Sequence, residues 1–180
     1  MKFAICAVLF CINGVAFALD QKNRYLSPDG EAESIILSVP FKATSPNWTE
    51  SAIYFRDYSA EKFIFRNFAS GDGEHGLFFV SGKWTPDSNY FIFTANSSGG
   101  HSPWRLRTYV YRRIQNDLLP LDEDYIEPVV SPDFSALPPH SLKIKVMDDS
   151  LEEPTEGKWI SVDLGTVFPK SAEQGAAANP

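Results

Sequence analysis

One stretch, Trp84-Thr85-Pro86-Asp87-Ser88-Asn89-Tyr90-Phe91-Ile92-Phe93, constrains the fold more than any other part of this chain. Proline at Pro86 presets φ for the second position of a type I turn, and the short side chains of Asp87 and Ser88 can bond back to nearby backbone N–H groups. The chain must therefore reverse here. Residues 90–94 are aromatic and β-branched, with no glycine or proline, which is the composition of a strand packed on at least one face. Trp84 buries on the order of 150 to 250 Å² when packed, so it is expected to anchor the turn in the core.

The Pro-Asp pair recurs at Pro28-Asp29 and Pro132-Asp133, at spacings of 58 and 46 residues. Four-stranded propeller blades repeat with a period of about 40 to 50 residues. Between these corners the sequence reads as short strands: residues 35–39, a hairpin of 52–58 with 62–68, a strand at 77–80 and another at 105–113. After Asn116-Asp117 come a strand at 118–121 and a final hairpin of 142–147 with 159–164. Glycine-rich residues 71–76 and 96–103 read as loops. In the 105–113 strand, Arg105, Arg107, Tyr109, Tyr111 and Arg113 share one face, and Leu106, Thr108, Val110 and Arg112 the other; one of the two is expected to meet water. No helical period stands out beyond the first residues.

The N-terminus has the plan of a secretory signal: Lys2, an apolar run over residues 3–12, then the small-residue pattern Ala16-Phe17-Ala18. The run is too short to cross a bilayer as a stable helix. Cleavage after Ala18 gives a signal peptide at 1–18, a single all-β domain at 19–170 and a disordered tail at 171–180. Both cysteines, Cys6 and Cys11, leave with the signal, and disulfides, thiol nucleophiles and thiolate metal sites leave with them. The formal charge of −7 becomes about −8 without Lys2, which excludes the basic surface that nucleic acid requires.

Residues 84–134 resemble the WD40-like repeats of TolB-type β-propellers. That pattern runs Trp, Ser or Thr, Pro, Asp, Gly, two variable residues, apolar, small, Phe; Trp84, Thr85, Pro86, Asp87, Phe91 and Phe93 match it, and Ser88 stands in place of the glycine. Thr108-Tyr109-Val110-Tyr111 falls where these repeats carry a third strand, Asn116-Asp117 where they turn, and Ser131-Pro132-Asp133 at the next opening. Val130 and Leu26 replace the tryptophan in the flanking copies. Closing a ring takes at least four blades and this chain holds three at most. The resemblance therefore implies antiparallel blade-like sheets that do not close, with a β-sandwich as the alternative. The chain is also similar to small exported bacterial proteins, which points to the periplasm or secretion.

Candidate chemistry is sparse. Asp72, Glu74 and His75 could offer carboxylate and imidazole to a divalent ion, but a solvated turn has the same composition. The run Asp122-Glu123-Asp124 lacks the alternating ligands of a calcium loop and is expected to be a wet acidic edge. No Gly-x-Ser-x-Gly elbow is present, and no catalytic residue is assigned. The strongest recognition candidate is the segment from Gly99 to Tyr111. There His101, Trp104, Arg105, Arg107, Tyr109 and Tyr111 would supply the aromatic and arginine surface common at binding hot spots. The expectation is an exported, non-catalytic domain that needs no cofactor and binds a protein or cell-envelope component. The alternative is a small periplasmic hydrolase or carbohydrate-binding protein.

Overall fold

A computed structural model describes residues 11–12, 15–16, 24–40, 49–70, 72, 75–100 and 104–168. The signal cleavage site at Ala18, Glu74, His101 and the tail 171–180 lie outside the described residues. After a two-residue pairing of β1 (Cys11–Ile12) with β2 (Val15–Ala16), the chain builds three larger antiparallel sheets. The N-terminal sheet is β3 (Arg24–Leu26), β4 (Ala32–Pro40), β5 (Thr49–Asp57) and β6 (Lys62–Asn67). The central sheet is β7 (Leu77–Trp84), β8 (Tyr90–Ser97), β9 (Arg107–Arg112) and β10 (Asp117–Pro120). The C-terminal sheet is β11 (Val129–Leu137), β12 (Ser141–Val146) and β13 (Lys158–Asp163), followed by α1 (Leu164–Val167). Each sheet is a meander in chain order, and none closes into a barrel.

The expected all-β, blade-like architecture is thus present as three stacked layers rather than the two of a sandwich. Strand alternation explains the stacking. On β8, Phe91 and Phe93 point to the N-terminal sheet, where they join Ile36, Ile53, Phe55 and Tyr111, while Ile92 points the other way into a cluster with Val110, Val129, Leu142, Ile144 and Val146. The central sheet is covered on both sides. Burying each such side chain contributes roughly 1.5 to 3 kcal/mol. Trp84 is buried as expected, and its indole N–H donates to the Tyr25 carbonyl across the sheet interface at 2.8 Å.

Two Pro-Asp corners are equivalent almost atom for atom. In the first, Ser27 N donates to Ala32 O at 2.9 Å, Ser27 Oγ to Asp29 Oδ1 at 2.5 Å, and Ala32 N to Ser27 Oγ at 2.9 Å. In the second, Thr85 N donates to Tyr90 O at 2.9 Å, Thr85 Oγ1 to Asp87 Oδ1 at 2.6 Å, and Tyr90 N to Thr85 Oγ1 at 3.1 Å. The residue after the aspartate is left-handed in both, Gly30 at φ +76° and Ser88 at φ +61°. The corners also touch, since Asp29 N donates to Ser88 Oγ at 3.1 Å.

The third Pro-Asp corrects the expectation of three equivalent reversals. Pro132-Asp133 lies inside β11, where the register slips between Val129 and Phe134. The position that must turn left-handed is occupied there by Phe134, a bulky residue that enters that region less readily than Gly30 or the small, polar Ser88, and the extra residues are absorbed as a bulge. The reversal comes later, at Pro138-Pro139-His140 between β11 and β12.

Candidate functional site

The segment expected to form one recognition surface is divided by the fold. Tyr111 is fully buried, stacked on Phe55 at 4.3 Å between ring centroids, and its hydroxyl donates to Asn116 Oδ1 at 3.0 Å. Burial pushes the Tyr111 phenol up to about 12. Tyr109 stacks on Phe93 at 5.2 Å and meets Phe68 at 5.1 Å. Both tyrosines are core residues, and the expected wet face of this strand does not exist, because β9 is an interior strand of a sheet covered on both sides.

What remains at the surface is Trp104, 46% exposed, with Arg105 and Arg107 partly exposed beside it. Arg105 reaches the carboxylate of Asp122 at 3.4 Å, and Arg107 pairs with Glu123. Asp122 is not part of a wet edge: it is buried, and its Oδ1 accepts from Thr108 N at 2.9 Å. The acidic run therefore closes back on the start of β9, and within it only Glu123 and Asp124 are exposed.

In the glycine-rich loop, His75 Nδ1 lies 2.7 Å from Asp72 Oδ2, both exposed, and His75 N donates to Asp72 Oδ1 at 3.1 Å. That is a local turn. Among the described residues no group of three or more His, Cys, Asp or Glu side chains is placed to hold a metal. The loop is tied down by a residue that sequence reasoning missed. Glu50 is fully buried and accepts from Ser70 N and Ser70 Oγ at 2.8 Å, Gly76 N at 3.1 Å and Ser98 Oγ at 2.7 Å. Its sequence neighbours give no sign of this, because two of those donors, Gly76 N and Ser98 Oγ, become neighbours only when the first two sheets stack.

At the opposite end of the strands, a cleft of about 480 Å³ opens between the central and C-terminal sheets. His140 stands in it with Nδ1 3.2 Å from Asp87 Oδ2 and Nε2 3.3 Å from Asp163 Oδ1. Tyr90, Ile114, Gln115 and Phe168 supply further walls. Burial alone would raise the Asp87 carboxyl, but donors from Thr85, Asn89 and His140 outweigh it and hold it below the usual range. Asp163 Oδ1 caps α1 by accepting from Gly165 N at 2.8 Å and Thr166 N at 3.3 Å. Gly165 carries no side chain for a reason: a Cβ there would come within 2.5 Å of His140 Nε2. The sequence could not pair these groups, since they come from three separate turns. Each imidazole nitrogen faces a carboxylate, and the arrangement offers polar contacts to a ligand.

No helix among the described residues is long and apolar enough to cross a membrane. No protein-family model and no curated protein matches the sequence.

Proposed function

We propose that this chain is an exported, non-catalytic binding domain built on WD40-like, TolB-type blade repeats, and that it engages a protein or cell-envelope component through Trp104, Arg105 and Arg107. The observation that carries the reading is the exposure of Trp104, at 46%, beside two arginines at the end of a sheet that is otherwise buried on both faces. Aromatic and arginine side chains on a rigid support lose little entropy when they bind. In the cleft, His140 is engaged with Asp87 and Asp163.

Immobilised domain is to be tested for capture of envelope components, with Trp104→Ala and Arg107→Ala as comparisons. Capture should be lost while the melting temperature shifts by less than about 2 °C, because a surface substitution changes stability by no more than about 0.5 kcal/mol. Retained capture, or a large thermal loss, refutes the assignment. Export is tested by the N-terminal mass of the chain recovered from the periplasm, which should begin after Ala18. A second reading, carbohydrate binding, is favoured by the cleft at His140, where carboxylates, amides and a tyrosine line one concavity. Calorimetric titration with neutral mono- and oligosaccharides tests it, and an Asp163→Asn variant with unchanged heats would refute it.

A further inference from the structure

The two ends of the sheet stack differ in chemistry. The outer face of the C-terminal sheet carries Lys143 and Lys145 on β12, with Ser161 and Asp163 on β13, and its exposed Trp159 lies under Lys143 Nζ at 5.6 Å. That end is mainly polar, with Trp159 and Leu137 as its exposed apolar side chains. The outer face of the N-terminal sheet follows from its register: Leu26 with Glu33, Arg56 and Phe63 in one row, then Arg24, Ile35, Tyr54 and Phe65, then Leu37, Ala52 and Asn67. Leu26 and Phe63 are 60% and 63% exposed, Phe65 is 40% exposed, and Tyr54 stacks on Phe63 at 5.8 Å.

We infer that this apolar end face is a self-association surface, on which a second copy of the chain stacks about a two-fold axis. The chain's own remaining segments do not fit it. Residues 169–180 follow Phe168 on the far sheet and contain no aromatic or large aliphatic side chain. Residues 41–48 join the paired Pro40 and Thr49, so their backbone reaches about 15 Å from that pair: the Leu37 row is within that reach, but the Leu26–Phe63 row, about 23 Å along β5, lies beyond it. With the leader removed after Ala18, residues 19–23 supply one apolar side chain, Leu19.

Charge does not oppose that partner. The chain carries −7 and repels its own copies over most of its surface, but this face has no excess of acid, with Arg24 and Arg56 against Glu33. Arg24 is already paired with Glu33. A head-to-tail stack would bury Lys143 and Lys145 against an apolar face, so the contact is two-fold and closed rather than a filament. Four strands about 4.8 Å apart and about 20 Å long present roughly 400 Å² in plan per copy. Two such faces lie below the usual size of a stable interface, which makes the dimer weak and reversible.

Sedimentation equilibrium of the exported chain, with leader removal verified by mass, tests this from low micromolar to near-millimolar concentration. The mass should rise from one chain to two. Phe63→Asp should weaken association at least tenfold, Leu26→Asp should do the same independently, and Trp159→Asp at the other end should leave it unchanged, with near-ultraviolet dichroism confirming the fold of each. A chain that stays monomeric throughout overturns the inference, as it would if another protein or the chain's own leader covered the face. So does a dimer indifferent to both Phe63→Asp and Leu26→Asp, or one that Trp159→Asp disrupts.

Discussion

Replacing Arg113 by methionine removes one of the polar ties between the first two sheets, the one made by a guanidinium. The guanidinium is 10% exposed and gives Nε to Asp57 Oδ2 at 2.8 Å, an Nη to Asp29 Oδ2 at 2.5 Å, and its other Nη to Ser59 Oγ at 3.1 Å. Asp57 is buried, and burial alone would raise its carboxyl. The bonds from Arg113, Ser59 and Ala60 N outweigh burial and hold it at about 2, against 3.8 when unperturbed. The folded value is depressed, so the associated stability, on the order of 2 kcal/mol, is fully present above about pH 4 and lost as pH falls towards 2. Asp29 is lowered as well and adds in the same direction.

Arg113→Met leaves Asp57 charged and buried with only neutral donors, at a cost of about 3 to 5 kcal/mol at neutral pH. Its carboxyl should then move above the unfolded value, so that mild acid stabilises the variant while it destabilises the wild type. Urea unfolding followed by tryptophan fluorescence at pH 7, 5 and 3 measures both effects. A cycle with Asp57→Asn should show a coupling of at least about 2 kcal/mol, since the two side chains act as a unit. A loss below about 1 kcal/mol at pH 7, or parallel acid limbs in variant and wild type, refutes the reasoning.

Gly76→Ala would drive a Cβ into the Glu50 carboxylate, which is buried and held by Gly76 N itself. Denaturant melts should show a loss of about 2 to 4 kcal/mol, and wild-type stability would mean the carboxylate has room to move. Glu61 is exposed in the turn between β5 and β6 at φ +52°, where a side chain is strained. Glu61→Gly should therefore gain about 0.5 to 1 kcal/mol in the same assay, and a net loss would show that the turn uses the Glu61 side chain.

The candidate site was legible only where local chemistry decides. Trp104 could be read as a loop aromatic and stays exposed, whereas Tyr109 and Tyr111 looked equally suited to a surface and are core. Alternation along β9 sorts side chains into two faces but carries no information on how many layers cover the strand. His140, Asp87 and Asp163 escaped notice because they are brought together from turns far apart in the chain.

Strand identity, the hairpins and the two corners at Pro28 and Pro86 were determined locally, by proline φ, aspartate back-bonding and a residue that tolerates the left-handed region. The third Pro-Asp had the same first three residues and a different fate, because Phe134 follows it. Only the tertiary structure decided which sheet is doubly covered and which carboxylates are buried. Those outcomes depend on contacts between sheets, and a period-two pattern reads the same whether a strand has one packed neighbour or two.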